Sequence, residues 1–539
     1  MEGSDLSRAE ALNPSEITMR ITDSLRTLLS GRSLSILLVL LVNIFGKFLG
    51  FLRVQQIAVV MGATGAADAL LLCLQLFSVW DVAFVSGGIA TVLLPELVRR
   101  NAAGSMLKFS IVSSRFVIAT EILSVAFALV IVLACLGAGR MIAPGFDGET
   151  RNLFGTSVLV FSLYPLAITA MNLFATMQRS LGRYVLYAVN PIVINLSALI
   201  ALWIGKHQGS SQEQLVVGYL LAITAATLLM AGINFALLPV QIRLNAAGFW
   251  SKATGTLRHV AASTIRSIRS TAVASPLIVV TVLQSLTALI TSSMASRMGA
   301  GGIAAYGYAD RLSMIIYSVI VGGIFVVIEP AWARVLAVMD RREALRRIEN
   351  DTLLMLLAVL PFVWVVIYAG KDVAGVVYSG MKGEEGSGLI LVARIAAHCA
   401  IGMLALAVSH AFSRVIIISG YTNKILLPNV AVLAAAIPVN LVCAAWLGLP
   451  GIGLAYAILM FIQAVGYGRV LVTAGLGLAF FRPMALAKLA IFVVGTSLVA
   501  AAASMAPWPG FVRAAIVTGV GLCFSLVLGY VFKLRLERA

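Results

Sequence analysis

Apolar stretches long enough to cross a bilayer recur along the whole chain, separated by short polar or Gly/Pro-containing segments. They fall at roughly 34–60, 66–97, 109–138, 153–178, 184–205, 214–240, 273–296, 302–333, 351–378, 388–419, 425–447, 451–473, 485–504 and 510–532. A crossing needs only about 20 residues, so the longer stretches must tilt, bend or protrude. The pattern predicts an all-α polytopic membrane protein of about fourteen transmembrane helices. Twelve crossings remain open if two of the stretches do not span.

The polar positions between these stretches set an orientation. With the N-terminus placed in the cytoplasm and the spans alternating, 26 of the 39 Lys and Arg residues fall in cytoplasmic segments. Seven fall in outer loops: Arg140, Arg151, Lys206, Arg297, Lys371, Lys382 and Arg513. This bias follows the positive-inside rule and predicts an even number of spans with both termini cytoplasmic, in a cell inner membrane. Residues 1–33 read as a polar cytoplasmic tail without the apolar core of a signal peptide.

Composition narrows the class further. Hydrophobic residues make up 60% of the 539 positions and charged residues 11%, against about 25% charged in soluble domains. The net charge of +17 would suggest a nucleic-acid partner in a soluble protein, but here topology accounts for most of it. Five cysteines are scattered in apolar runs, and the four histidines form no metal-binding pattern. No nucleotide-binding loop, nucleophile elbow or zinc motif occurs, so no enzyme activity and no cofactor are expected.

An internal repeat divides the chain. Met61-Gly62-Ala63 and Met298-Gly299-Ala300 end the first and seventh spans. The following spans each carry Gly-Gly-Ile, at 87–89 and 322–324, then a proline (Pro95, Pro330) and an arginine (Arg99, Arg334) at matching offsets. This predicts two six-helix lobes, 34–241 and 273–473, in parallel repeat about a central cavity. Residues 242–272 form a basic linker, read either as an interfacial helix on the anionic leaflet or as a plain polar connection. Residues 474–539 hold the last two spans and the cytoplasmic C-terminus. Gly87, Gly88, Gly322 and Gly323 are hinge candidates. Gly46 and Gly50 form a GxxxG that permits close helix approach.

A charge near the bilayer centre costs about 2.5–3.5 kcal/mol even on lenient scales, so each is a functional candidate. The cations are Lys47, Arg53, Arg115, Arg311, Arg394 and Arg414; the acids are Asp68, Asp81, Glu121 and Asp310. Lys47 and Arg53 point about 120° apart on one helix and can border one wide cavity. Arg394 and His398 are four apart and share a face. Asp310 and Arg311 are adjacent, which predicts one facing the cavity and the other a neighbouring helix. Arg115 and Arg414 read as structural, through ion pairing (Arg115 with Glu121, for example) or snorkelling. An excess of cations suits an anionic, phosphate-bearing substrate.

Several segments carry a family resemblance. GKFLGFLRVQQIAVVMGATGAADA at 46–69 resembles the opening helix and turn of the MurJ/MviN lipid II flippases, in the multidrug/oligosaccharidyl-lipid/polysaccharide exporter superfamily. APGFDGETR at 143–151, LGRYVLYAVNPIVINL at 181–196, YGYADRL at 306–312, SGYTNKILLPNVAVL at 419–433 and LGLPGIGLAYAI at 447–458 are similar to later parts of that family, in matching order. The resemblance implies a V-shaped, two-lobed fold that flips an undecaprenyl-pyrophosphate-linked glycan to the periplasmic leaflet, with the last two helices forming a groove for the lipid tail. It implies substrate-binding roles for Lys47, Arg53 and Arg311, and cavity or coupling roles for Asp68, Asp81, Asp310, Arg394 and His398. Coupling to membrane potential or a monovalent cation would drive transport, and other cell-envelope synthesis proteins are candidate partners.

This chain departs from the family pattern in places. Lys47 stands where arginine is usual, Val54 follows Arg53 in place of aspartate, Asp81-Val82 replaces a basic pair, and Ser86 replaces an acid. The altered second helix points to an alternative cargo, an exopolysaccharide or other polyprenyl-linked repeat unit. A cation-coupled small-molecule exporter needs an acidic cavity, and a glycosyltransferase or polymerase needs a large outer loop; the sequence favours neither. A transport-dead scaffold is a further alternative.

Overall fold

In a bilayer every backbone N–H and C=O must be satisfied within the protein, and a helix does this within one segment. The structure is a computed structural model that describes residues 31–82, 90–240, 242–243, 276–381, 387–476, 483–505 and 510–531. Among these residues it is helical throughout, without a strand. The helices are α1 (Gly31–Met61), α2 (Gly65–Trp80), α3 (Ala90–Ala102), α4 (Met106–Ile142), α5 (Gly148–Phe161), α6 (Tyr164–Ser180), α7 (Val185–His207) and α8 (Gln212–Ala236). They continue as α9 (Pro276–Ser296), α10 (Gly302–Val338), α11 (Arg341–Tyr368), α12 (Gly370–Val377), α13 (Ser387–Ile418), α14 (Leu426–Leu447), α15 (Leu449–Thr473), α16 (Pro483–Ser504) and α17 (Gly510–Val531). Eleven helical segments of the described residues are long and apolar enough to cross a membrane, and two shorter apolar helices join them, Gly65–Trp80 and Ala490–Ser504.

Local chemistry explains the interruptions. Pro165 sits in the first turn of α6, where its missing N–H costs nothing, so the break from α5 falls just before it. Pro191, Pro330, Pro361 and Pro438 lie inside helices that continue past them. α10 runs without a break through Gly322 and Gly323. Gly87 and Gly88 lie outside the described residues, as does the linker beyond Arg243.

Two packing sets emerge. α1 packs on α7, α7 and α6 on α8, α2 on α5, and α3 and α4 on α6. In the second set α13 packs on α15, α10 and α11, while α14 packs on α15 and α9. The repeated Met-Gly-Ala segments occupy equivalent turns. Gly62 (φ 69°) and Gly299 (φ 107°) both take the left-handed conformation that only glycine adopts without strain. The GxxxG on α1 is used as expected: Asn195 Nδ2 on α7 donates to Gly46 O at 3.2 Å, and a Cβ at Gly50 would sit 3.4 Å from the same amide.

α16 and α17 pair and dock on α11. Trp364 Nε1 donates to Thr496 Oγ1 at 2.8 Å, Tyr368 and Ser497 share a hydrogen bond of 2.8 Å, and Val365, Ala500 and Val517 form a small core.

The α14–α15 hairpin gives a direct test of packing. A Cβ at Gly451 would stand 2.0 Å from Cys443 O, which is backbone and cannot rotate away, whereas a Cβ at Gly519 meets nothing within 4 Å. Gly451→Ala is expected to lower stability by about 1–3 kcal/mol. Gly519→Ala is expected to raise it by about 0.5–1 kcal/mol through helix propensity. Thermal aggregation midpoints of the purified variants measure both.

Candidate functional site: a central cavity and a latch between the bundles

A cavity of about 660 Å³ lies between the two packing sets. Helices α1, α2 and α5–α8 supply one side and α9 and α10 the other. Among the described residues, its charged lining is Arg53, Asp81, Asp310 and Arg311. Arg53 and Arg311 therefore reach one space from different bundles. Arg53 is half-buried, and its Nε is buried without a hydrogen-bond partner. Neither arginine forms an ion pair among the described residues. Both stand close enough to the Tyr219 hydroxyl to act on it electrostatically, and that hydroxyl is also buried without a partner. Tyr164 lies within similar reach of Arg53 and Asp81. The unpartnered Arg53 Nε and Tyr219 hydroxyl are donors that an anionic oxygen could answer.

The remaining candidates sit elsewhere. Lys47 is exposed on α1, one turn past the lining residue Asn43, and is not itself in the lining. Arg394 is exposed on α13, and His398 Nδ1 hydrogen-bonds Arg394 O at 2.8 Å; both lie outside the cavity lining. Asp310 and Arg311 both border the cavity, contrary to the expectation that they divide; the cavity is wide enough to admit neighbours about 100° apart on α10. Arg414 pairs with Glu329 at 3.0 Å. Glu121 takes its hydrogen bond from Ser124 Oγ, at 3.1 Å, and forms no ion pair with Arg115.

Asp68 has another position altogether. It is buried, and its carboxylate accepts the backbone N–H of Gly301 at 2.7 Å and of Ala304 at 2.7 Å. An acid on α2 thus caps the N-terminus of α10 in the opposite bundle, where the free N–H groups and the helix dipole favour a negative charge. Around it Tyr308 Oη donates to Gly62 O at 2.8 Å, and Ser292 Oγ donates to Gln75 Oε1 at 2.6 Å. Close approach is built in: a Cβ on Gly145 would stand 1.8 Å from Ser296 O, and one on Gly301 2.1 Å from Ala63 O. The hydrogen bonds between the bundles cluster at this end, which closes the cavity there.

Sequence reasoning missed the neutral part of the lining. Gln75, Ser78, Asn172, Asn190, Asn195, Ser285 and Ser292 line the cavity beside Tyr164 and Tyr306. A search restricted to charges passes over them. The signal that was available is neutral polar residues at helical spacing on one face of otherwise apolar spans.

The fold and the site together define a polytopic helical membrane protein built around a polar central cavity. Among solved structures, the fold is similar to "Lipid II flippase MurJ, inward closed conformation", with a TM-score of 0.70 and 14% identity, covering 92% of this chain and 98% of that one. It is also similar to an inward-facing multidrug resistance MATE family transporter of the MOP superfamily, with a TM-score of 0.59 and 16% identity, covering 79% and 95%. A relative from Rhizobium meliloti (strain 1021), described as a probable lipid II flippase MurJ, is 23% identical over 380 residues. That match spans 68% of this chain and 66% of the relative, just under two thirds of the relative's length. The model of the family described as lipid II flippase MurJ matches residues 57–521. The chain belongs to that family.

The latch predicts a measurable change. A carboxylate accepting two N–H groups contributes about 1.5–3 kcal/mol per bond, and asparagine keeps only one acceptor oxygen. In a cysteine-free background, Gln75→Cys with Ser292→Cys is expected to crosslink readily with a short bifunctional thiol reagent. Adding Asp68→Asn is expected to lower the yield about tenfold or more, a change equivalent to about 1.4 kcal/mol in the closure equilibrium. An unchanged yield would show that the carboxylate does not hold this end shut.

Proposed function

We propose that the chain flips an undecaprenyl-pyrophosphate-linked glycan, the peptidoglycan precursor lipid II, from the cytoplasmic to the periplasmic leaflet of the inner membrane. What carries this reading is the pair Arg53 and Arg311, supplied by different bundles to one cavity and without ion-pair partners among the described residues. The membership of the lipid II flippase MurJ family supports the cargo.

In this reading the chain makes about fourteen crossings with both termini cytoplasmic, as the distribution of Lys and Arg favours. Two lobes, 34–241 and 273–473, rock about the cavity, and the closed end at Met61 and Ser296 is periplasmic. The headgroup enters sideways from the cytoplasmic leaflet, with Lys47 near the mouth. Arg53 and Arg311 take the pyrophosphate, and the neutral amides and hydroxyls meet sugar and peptide groups. Asp68 then leaves α10 as the lobes open outward. No bond is made or broken. The drive comes from membrane potential or a monovalent cation gradient, with Arg394 and His398 as candidates for coupling.

A second reading has its own observation. Asp81 and Asp310 line the same cavity and balance the two arginines in formal charge. A headgroup with amine or hydroxyl donors beside its phosphate, as in another polyprenyl-linked repeat unit, suits that balance. Depletion of the protein separates the two: the glycan that accumulates on polyprenyl pyrophosphate in the cytoplasmic leaflet names the cargo, and no accumulation at all would remove both readings. Arg311→Ala is expected to abolish complementation at normal membrane abundance, and Arg311→Lys to retain part of it, because lysine keeps the charge but not the fork.

A further inference from the structure

A second cavity of about 580 Å³ lies away from the first, among α4, α6, α8 and the turn that follows α8. Val117, Phe174, Met177, Phe235, Leu238 and Ile242 form most of its wall, and among the described residues its hydroxyls are those of Ser113 and Ser114. An apolar cavity of this kind stays dry and takes apolar guests. In a membrane the surrounding medium is hydrocarbon, so the available guest is a lipid chain. Gly232 also lines it, is exposed, and a Cβ there would meet no atom within 4 Å, so the wall is open on that side.

The rim carries charge. Arg243 directly follows Ile242, and its Nε is buried without a hydrogen-bond partner. Arg183 donates from Nη1 to Leu237 O at 2.8 Å, which holds a second guanidinium beside the lining residue Leu238. Ser110 Oγ donates to Ile242 O at 3.5 Å and ties this corner to α4. Neither arginine is ion-paired among the described residues, and no carboxylate lines the cavity. A buried guanidinium donor without an acceptor is costly, and a phosphate oxygen answers it.

We infer that this cavity binds one anionic phospholipid, with an acyl chain among α4, α6 and α8 and its phosphate on Arg243 and Arg183. The site is separate from the central cavity, and the net positive rim selects an anionic lipid over a zwitterionic one. The isoprenoid chain of the transported substrate is the rival occupant.

Native mass spectrometry of the delipidated full-length protein, titrated with phosphatidylglycerol, phosphatidylcholine or undecaprenyl phosphate, tests this. One phosphatidylglycerol per chain should bind at least about tenfold more tightly than phosphatidylcholine. Arg243→Gln, which removes the charge, and Gly232→Trp, which plugs the cavity, should each weaken that binding by about tenfold. If Gly232→Trp does not fold, the smaller plug Gly232→Leu replaces it. Equal binding of the two phospholipids, or wild-type binding in both variants, would overturn the site. Tighter binding of undecaprenyl phosphate than of phosphatidylglycerol, itself weakened by Gly232→Trp, would overturn the assigned occupant.

Discussion

Hydrocarbon answers no polar group, and that constraint organises this molecule. Each charge or amide among the apolar helices must find its partner inside the protein or face a cavity. Most do find one. Asp68 finds the N-terminus of α10, Trp332 Nε1 donates to Asp351 at 2.9 Å, and Arg414 pairs with Glu329. Arg53 and Arg311 are the informative exceptions, because they face a shared cavity and form no ion pair among the described residues.

The same constraint made the fold legible in the sequence. Long apolar stretches read as helices, and the ends of the first and seventh spans were marked by the Met-Gly-Ala pair; that Gly62 and Gly299 there are left-handed came only with the structure. Arg53, Asp81, Asp310 and Arg311 could be picked out as intramembrane charges. What the sequence did not reveal was which way each charge points. Asp68 looked like a cavity or coupling residue because a buried acid has no visible partner until α10 is folded against it; its partners lie more than 230 positions away and are backbone N–H groups, which no side-chain pattern encodes. Lys47, Arg394 and His398 were selected by residue type, and residue type does not determine facing. The neutral lining stayed hidden because asparagine and serine in a span are common enough to pass as helix-packing residues.

Closure at the Met61 and Ser296 end relies on contacts that tolerate no side chain. Gly145 and Gly301 bring backbone against backbone across the two bundles. Such contacts are either made or not made, since packed surfaces do not deform continuously. Two bundles joined by a capped helix end, a few hydrogen bonds and glycine contacts have the construction of a bistable joint.

The central claim is that arginines from both bundles act together on one phosphate-bearing headgroup. A double-mutant cycle on undecaprenyl pyrophosphate binding tests it most directly, using purified wild type, Arg53→Gln, Arg311→Gln and the double variant. Each single change is expected to weaken binding by about tenfold or more, and the pair to be non-additive, with a coupling of about 0.5–3 kcal/mol. Unchanged binding in either single variant, or strictly additive losses, would contradict it.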